Sequence, residues 1–260
     1  MNKKKNLQGL VALITGGASG LGKGTVETLI NHGLKVAIID LPSSAGAEVA
    51  KVYGENCLFT PANVTSENEV GAAVEVLHKK FGRLDVNVNC AGIAYARKLY
   101  SVMKKQMQSL DEIERTLKVN VIGTLNVIRF ACQLMAENEK DEAGQRGVII
   151  NTSSIAAFDG QIGQSAYSAS KGAIASITLP LARDFAEDGI RFVAVAPGIF
   201  DTPLVNCLPP KAINFLNNLV PNPKRFGNPV EFGALVHHII ENRYLNGEVI
   251  RLDGALRMPA

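Results

Sequence analysis

The sequence is poor in the residues that cross-link small domains or hold structural metals. It has no tryptophan, four histidines and four cysteines, and no unbroken apolar run near the roughly 18 residues that span a bilayer. The histidines lack the spacing of metal ligands, so we expect no structural zinc. No C-x-x-C pair occurs, which favours reduced thiols over a disulfide framework. The scattered cysteines are Cys57, Cys90, Cys132 and Cys207.

A strong charge of either sign and segments of low complexity are also absent. The net charge of +3 is too weak to require a nucleic-acid partner. The 260 residues are 47% hydrophobic and 20% charged, which is typical of a soluble globular protein. With no linker or repeat, the sequence predicts a single domain over residues 1–260. The basic segment 1–6 is too short for a cleavable targeting peptide, and a solvated tail and an uncleaved import signal both stay open.

Short β-type runs alternate with longer helical patterns along the whole chain. Several runs are nearly continuous in Val and Ile, as in a parallel sheet covered by helices on both faces. This alternation predicts an α/β fold, a doubly wound seven-stranded parallel sheet in one Rossmann-type domain. The predicted strands are 11–15, 35–39, 57–60, 84–89, 147–151, 191–195 and 248–251. The predicted helices are 20–32, 44–53, 67–80, 112–137, 164–188 and 229–241.

Three segments interrupt this alternation. Residues 97–111 carry three lysines with little apolar periodicity, and residues 137–146 are almost wholly polar, so both are expected to be surface insertions. Residues 199–227 combine five prolines with apolar side chains such as Leu204, Val205 and Phe215. A mobile substrate lid and a packed loop with a short helix are both compatible with that composition.

A glycine-rich turn joins the first predicted strand to the first predicted helix. Its glycines, Gly16, Gly20 and Gly22, have the spacing G-x3-G-x-G after Thr15. Glycines let the backbone approach a pyrophosphate, whose charge then lies at the N–H groups of the helix N-terminus. The position between strand and helix is the one that a dinucleotide-binding turn requires.

Asp40 makes the cofactor prediction more specific. It ends the second predicted strand, eighteen positions after Gly22. A carboxylate there accepts the ribose hydroxyls of NAD and repels the 2′-phosphate of NADP, so the sequence favours NAD. Asp40 as a cap of the next turn is the alternative. Further along, Asn63 and Val64 are expected to meet the adenine after the third strand.

Ser154, Tyr167 and Lys171 form the pattern S-x12-Y-x3-K. Tyr167 and Lys171 are four residues apart on a predicted helix, so their side chains share a face. A nearby ammonium favours the phenolate, so we expect Lys171 to lower the pKa of Tyr167 from its usual value of about 10. The pattern predicts hydride transfer from a secondary alcohol, with Tyr167 as the base and Ser154 near the substrate oxygen. A surface Tyr–Lys pair is the alternative.

Together these motifs resemble those of the short-chain dehydrogenases/reductases over essentially the whole chain. The motifs are T-G-x3-G-x-G, Cys90-Ala91-Gly92, an asparagine at 120, S-x12-Y-x3-K and Pro197-Gly198. The resemblance implies that Asn120 anchors a water that links Lys171 to a proton relay, and that Thr202 holds the nicotinamide carboxamide. The cofactor contacts that it implies are Gly16, Ser19, Gly20, Leu21, Gly22, Asp40, Asn63, Val64, Cys90, Ala91, Gly92, Tyr167, Lys171, Pro197, Gly198 and Thr202.

A narrower resemblance is to a mitochondrial branch of this family that oxidises 3-hydroxyacyl-CoA and hydroxysteroids. It is carried by residues 10–22, 40–42, 89–92, 144–152 and 245–254. It implies a homotetramer of the mitochondrial matrix that acts on substrates such as 2-methyl-3-hydroxybutyryl-CoA, with no membrane partner. Animal members also join a tRNA-methylating and tRNA-processing complex, so an RNA-processing role stays open. The lysines of 97–111 would suit a CoA phosphate, or simply form a solvated loop.

The chain departs from the family pattern at several positions. Asn63 replaces the usual aspartate, so we expect the adenine amino group to meet an amide oxygen, with somewhat weaker NAD binding. Asp201 precedes Thr202 where a small residue is common. The segment 199–227 differs enough that the ranking of acyl-CoA and steroid substrates does not carry over.

Overall fold

The computed structural model describes residues 7–206 and 210–259. The basic N-terminal segment, Cys207 and the two residues after it lie outside the described residues. Strands of the main sheet are β1 Val11–Thr15, β2 Lys35–Asp40, β3 Cys57–Pro61, β4 Val86–Asn89, β7 Gly147–Thr152, β8 Ile190–Pro197 and β9 Val249–Leu252, while β5 Tyr100–Ser101 and β6 Gln106–Met107 lie apart from it. The α-helices are α1 Gly20–Asn31, α2 Gly46–Tyr53, α3 Glu67–Phe81, α4 Leu110–Leu117, α5 Thr124–Ala136, α6 Ser165–Asp184, α7 Pro203–Asn206, α8 Pro210–Leu219 and α9 Pro229–Glu241.

The sheet has the strand order β3-β2-β1-β4-β7-β8-β9, and every pairing is parallel. The chain winds outward in both directions from β1 and β4, which lie side by side. The ends of β1, β2 and β4 are aligned, because Thr15 pairs with both Ile39 and Asn89. A parallel sheet whose order reverses leaves a crevice at the carboxyl ends of its strands. The predicted fold class is therefore confirmed, and the crevice lies beyond Thr15.

The core lies on both faces of the sheet, as the Val- and Ile-rich strands predict. One face packs Ile14 and Val88 against Phe232 of α9, and the other packs Leu13 and Ile149 with Leu77 of α3 among its neighbours. All of these side chains are fully buried. Each contributes about 1.5–3 kcal/mol of transfer free energy, so the strands that carry the site are held rigidly.

Polar residues of β4 are also buried. Their alternation with Val86 and Val88 does not direct them to solvent, because helices cover both faces of the sheet. Asn89 donates from Nδ2 to Asn87 Oδ1 at 2.8 Å and to Asn151 Oδ1 at 2.9 Å. This interior network ties β4 to β7 near the point where both strands end and the site begins.

The stretch predicted as one helix over 112–137 is divided in the structure. A π-helical turn, Lys118–Gly123, separates α4 from α5. Such a turn adds one residue and is common at functional sites. It contains the buried Asn120, whose side chain binds the backbone of Ile93. By length and composition the whole stretch Leu110–Ala136 could span a membrane, but 56% of its apolar window is buried inside the fold, as in a core helix.

The three irregular segments take different forms. Within 97–111 the strands β5 and β6 form an antiparallel hairpin that the sequence did not predict. Residues 137–146 form a turn in which Asp141 accepts from Gln145 N–H. In the segment 199–227 the described residues form the short helices α7 and α8, and the choice between a substrate lid and a packed loop stays a prediction.

Candidate active site

A cleft of about 770 Å³ opens at the carboxyl ends of the parallel strands. Every residue that the sequence predicts for the site lines it, with the single exception of Asn120. The glycine turn and Asp40 lie with Asn63 on one part of its wall, while Ser154, Tyr167 and Lys171 lie on another. The separate motifs of the sequence therefore meet in one cavity of the size that small-molecule and cofactor sites usually have.

The glycine turn leaves no room for side chains. Gly16 has φ +67°, and a Cβ there would lie 2.9 Å from the backbone nitrogen of Ala91. At Gly22 a Cβ would lie 2.1 Å from the carbonyl oxygen of Gly16. Ser19 precedes α1 in an extended conformation and makes no side-chain capping bond, so the first N–H groups of α1 are available at the cleft wall. This cradle fits the pyrophosphate of a nicotinamide dinucleotide.

Asp40 makes the local hydrogen bonds of the alternative that the sequence offered, and it also lines the cleft. Its Oδ2 accepts from Ala18 N–H in the glycine turn at 3.0 Å, and its Oδ1 accepts from Leu41 N–H at 2.8 Å. Each carboxylate oxygen can accept a second hydrogen bond. Asp40 therefore supports the turn locally and keeps free acceptor capacity at the cleft wall, and its contact with a ribose stays a prediction.

Asn63 does not present the oxygen that the sequence predicts. Its Oδ1 accepts from Thr65 N–H at 3.0 Å and from the Thr65 hydroxyl at 2.9 Å. Its backbone N–H donates to Glu69 Oε2 at 2.8 Å, which fixes the turn after β3. The amide oxygen is thus committed to the local turn, and the expectation that it faces the adenine amino group is wrong.

Lys171 is buried in the cleft floor. Its Nζ donates to the carbonyl oxygen of Thr152 at 2.8 Å, at the end of β7. Burial lowers the pKa of this ammonium to about 8. Nζ lies 5.9 Å from the centre of the Tyr167 ring. The backbone carbonyl of Lys171 in turn accepts from the Ser153 hydroxyl at 2.8 Å, which holds α6 against the strand end.

The pKa of Tyr167 differs from the sequence prediction. Burial of the phenol raises the pKa of Tyr167. The Ser154 hydroxyl acts in the opposite direction and lowers this pKa by a smaller amount. The expected lowering by Lys171 is not found, because the desolvation of the phenolate outweighs the other effects at this distance. Ser154 Oγ also accepts a hydrogen bond from Ala156 N–H at 3.1 Å. Because this bond uses a lone pair of the oxygen, the hydroxyl proton points away from Ala156. Ser154 is therefore close enough to Tyr167 to favour its phenolate.

Asn120 lies next to the catalytic residues but its side chain is fully engaged. Oδ1 accepts from Ile93 N–H at 2.8 Å, while Nδ2 donates to the Ile93 carbonyl at 2.9 Å and to Ser170 Oγ at 3.0 Å. A Cβ placed on Gly92 would lie 3.2 Å from Asn120 Oδ1 and 3.6 Å from Lys171 Nζ. Asn120 thus positions the Gly92–Ile93 turn beside Lys171, and its relay through a water stays a prediction.

Cys90 lines the cleft without the properties of a nucleophile. Burial raises the pKa of its thiol to about 11, so the reactive thiolate is scarce near neutral pH. Its nearest polar neighbour is the Thr152 hydroxyl, 3.5 Å from Sγ. Among the described residues no group of three or more His, Cys, Asp and Glu side chains could hold a metal ion.

Several lining residues were not predicted from the sequence. Phe200 supplies an aromatic wall, and Thr152 and Ser153 hold Lys171 and its helix. Phe200 could have been found from its place two residues after Gly198, and Ser153 from its place before Ser154. Residues of α4 and the turn after it also reach the cleft, and no motif marks them. These are Asp111, Glu114, Arg115 and Lys118.

An arginine of β9 fixes the loop that precedes α6. Arg251 Nη2 and Nη1 donate to the two carboxylate oxygens of Asp159 at 2.5 and 3.1 Å, while Nε donates to Asp253 Oδ2 at 2.7 Å. In the same loop Gly163 accepts from Arg97 N–H at 2.8 Å, which joins the base of the hairpin. The loop that leads to Tyr167 is therefore held from two sides.

Known proteins share both the sequence and the fold. A family model described as short chain dehydrogenase matches residues 10–212. The 3-hydroxyacyl-CoA dehydrogenase type-2 of Rattus norvegicus is 57% identical over 98% of this chain and 97% of its own length. The protein of the same name from Drosophila melanogaster is 52% identical over 97% of this chain and 99% of its own length.

The fold is similar to that of a solved structure as well. A crystal structure of 3-hydroxyacyl-CoA dehydrogenase type-2 from Mycobacterium avium superposes with a TM-score of 0.92 at 37% identity, and covers 96% of this chain and 97% of that one. Family members typically use a nicotinamide cofactor, and the glycine cradle above fits one. The chain therefore belongs to the short-chain dehydrogenase family and is an oxidoreductase that acts on CH–OH groups.

Proposed function

We propose that this protein oxidises the 3-hydroxyl group of short-chain 3-hydroxyacyl-CoA, including 2-methyl-3-hydroxybutyryl-CoA, with NAD⁺ as the oxidant. The observation that carries the proposal is the Ser154–Tyr167 pair beside the buried Lys171, in the same cleft as the glycine cradle and Asp40. The three side chains can move a proton, and the glycine cradle with Asp40 can hold a dinucleotide. The names of the relatives point to the acyl-CoA substrate.

Tyr167 acts as the general base of the oxidation. When bound, NAD⁺ supplies the acceptor for the hydride that leaves the substrate carbon. Tyr167 Oη takes the hydroxyl proton as the C–O bond becomes a carbonyl. Ser154 donates a hydrogen bond to the same oxygen, and in the reverse reaction it stabilises the negative charge that develops there. The substrate loses one hydride and one proton, which balances the oxidation of an alcohol to a ketone.

Lys171 supplies positive charge where the phenolate forms. With its pKa at about 8, the ammonium is mostly protonated near pH 7. Its bond to the Thr152 carbonyl uses one of three N–H donors and leaves two for the cleft. Tyr167 lies one helical turn before it on α6, so Lys171 adds a positive charge on the same face of the helix, while desolvation dominates the pKa of Tyr167 itself.

NAD is the proposed cofactor because of Asp40. Its carboxylate lies at the wall of the cleft, held by Ala18 and Leu41 N–H groups. A 2′-phosphate at this wall would face a fixed negative charge, and such like-charge contacts cost several kcal/mol. A ribose with a free 2′-hydroxyl instead donates a hydrogen bond to it.

The acyl-CoA assignment has a further basis in the hairpin next to the cleft. Lys98, Lys104 and Lys105 are exposed on it, and residues 97–110 contain no acidic side chain. The base of the hairpin is bonded to Gly163 in the loop before α6. A cationic arm at this place can attract the phosphates of CoA while the acyl end reaches Tyr167.

A hydroxysteroid is the second candidate substrate. Phe200 and Val205 line the cleft, and Phe215 of α8 is 57% exposed on the same segment. Apolar side chains of this kind suit a rigid lipid alcohol. Comparing kcat/KM for 3-hydroxybutyryl-CoA and a 17β-hydroxysteroid under the same conditions decides between the two.

The reaction is tested with acetoacetyl-CoA and NADH, followed by the loss of NADH absorbance. We expect Tyr167→Phe to lower kcat by about a thousandfold, because the ring stays in place but the proton donor is lost. Tyr244→Phe is the matched control, since Tyr244 is 98% exposed and should not affect the rate. Equal rates for Tyr167→Phe and the wild type would contradict the proposed mechanism.

A further inference from the structure

We propose that Asn63 affects which purine base this protein prefers in its dinucleotide. Its side chain presents an amide N–H donor to position 6 of the purine. This inference rests on the proposed use of NAD. It concerns an amide side chain in the wall of the cofactor cleft, whose oxygen and nitrogen differ in what they can bind. The consequence is a relative preference for a purine with a 6-carbonyl group over adenine at this contact.

The orientation of the amide follows from its neighbours. Thr65 N–H can only donate, and it lies 3.0 Å from the Asn63 amide, so the atom that faces it must be Oδ1. The Thr65 hydroxyl adds a second bond to the same oxygen at 2.9 Å. A flip of the amide would place two donors against each other and lose the bond to Thr65 N–H. Oδ1 is therefore turned into the loop.

The backbone around Asn63 is equally fixed. Its N–H donates to Glu69 Oε2 at 2.8 Å, and its carbonyl accepts from Ser66 N–H at 2.9 Å. Val64, the next residue, has its carbonyl held by Asn126 Nδ2 at 2.9 Å. The turn is thus anchored to α3 and α5, and it cannot rotate to expose Oδ1 without breaking several bonds at once.

The Nδ2 group is the part of Asn63 that remains for a ligand. It makes no hydrogen bond to any residue within the described part of the chain, whereas Asn63 itself lines the cleft wall together with Val64 and Thr65. The same wall continues to Asp40, the proposed ribose contact. A base attached to that ribose therefore reaches the side chain that offers Nδ2.

The chemistry of the two purines decides what Nδ2 selects. Adenine carries an amino group at position 6, which is a donor, so it meets Nδ2 as donor against donor. Hypoxanthine carries a carbonyl oxygen at position 6, which accepts from Nδ2. An aspartate here would keep one oxygen on Thr65 and offer the other to the adenine amino group. Asn63 thus removes the acceptor that favours adenine and replaces it with a donor.

The test measures dissociation constants rather than turnover. NAD⁺ and nicotinamide hypoxanthine dinucleotide are titrated by calorimetry into the wild type and into Asn63→Asp. We expect Asn63→Asp to tighten NAD⁺ and weaken the hypoxanthine analogue, so that the ratio of the two constants changes by about tenfold or more. A hydrogen bond gained in one complex and a repulsion created in the other account for this size.

Asn63→Ala provides a second variant, because it removes Nδ2 without adding charge. It should lose the relative preference for the hypoxanthine analogue, whatever its effect on overall affinity. An Asn63→Asp variant that changes both constants by the same factor overturns the inference while leaving NAD binding intact. A wild type that binds neither nucleotide overturns the proposed use of NAD as well, so the two failures are distinguishable.

Discussion

At the scale of single residues, the site depends on groups whose charged forms are disfavoured by burial. The pKa of Tyr167 is raised and that of Lys171 is lowered, both mainly by desolvation. Ser154 acts in the opposite direction on Tyr167, since its hydrogen bond favours the phenolate. Ser154 therefore has two roles, holding the substrate oxygen and making the base available at a lower pH.

Replacement of Ser154 tests this second role. Alcohol oxidation needs the deprotonated Tyr167, so kcat/KM should rise about tenfold per pH unit up to the apparent pKa of the base and then level off. Ser154→Ala removes the bond that lowers this pKa, so we expect the rising limb to move to higher pH. At pH 7 the rate should fall by about a hundredfold, because a donor to the substrate oxygen is lost too.

The pH profile distinguishes this role from a general disturbance of the site. Ser176→Ala is a suitable control, because Ser176 is an exposed serine on the same helix as Tyr167 and does not line the cleft. Its profile should coincide with that of the wild type. A Ser154→Ala profile that is lower but keeps its limb at the same pH would show that Ser154 does not tune Tyr167.

At the scale of elements, Arg251 connects strand β9 to the loop before α6. It binds both oxygens of Asp159 and one oxygen of Asp253, and all three side chains are largely buried. Arg251→Met leaves Asp159 without its cation and leaves Asp253 with only the exposed Arg257. We expect a loss of about 2 kcal/mol in the free energy of unfolding, less than for a fully buried pair because water reaches the edge of the network. Urea unfolding at pH 7 measures it.

Arg257 offers the matched control for this change. It also binds Asp253, but its side chain is 62% exposed. Arg257→Met should change the stability by less than about 0.5 kcal/mol. If Arg251→Met cost no more than this control, the network would not be what holds the loop. A raised KM for the acyl-CoA in Arg251→Met alone would link the loop to substrate binding.

The elements also show what the sequence could and could not predict. The seven sheet strands lie within two residues of their predicted bounds, because hydrophobic periodicity and turn residues are local signals. The π-helical turn at Lys118–Gly123 was missed, since it depends on Asn120 bonding to Ile93, which is distant in sequence. The hairpin of β5 and β6 was missed because two-residue strands carry no periodicity.

The same division applies to the site. Most of its residues were predicted because they occur in short motifs at strand ends, which the sheet brings together, while Tyr167 and Lys171 were predicted from their spacing on one helix. The orientation of the Asn63 amide and the raised pKa of Tyr167 could not be predicted in this way. Both depend on which neighbours share the space around the side chain, and only the packed structure determines these neighbours.

At the scale of the whole molecule, the candidate active site lies at the carboxyl ends of the strands. The outer helices cover the faces of the sheet, and parts of their surfaces are exposed. On the outer surfaces of these helices, Ile122 is 55% exposed and Leu179 of α6 is 45% exposed. Single exposed apolar residues are common on monomers. In the homotetramer that the sequence resemblance implies, we expect these side chains to meet a partner surface, and Leu179 lies on the helix that also carries Tyr167.

The assembly is tested by light scattering after size exclusion. We expect the wild type to have a mass near four times 27.8 kDa. Leu179→Glu should lower this mass, because a charge in an apolar interface between chains has no counter-ion and is costly to desolvate. Val52→Glu is the control, since Val52 is 77% exposed on α2, and it should leave the mass unchanged. A monomeric wild type, or equal masses for both variants, would contradict an interface at this helix. If Leu179→Glu forms a smaller assembly that keeps full activity, each chain contains a complete active site.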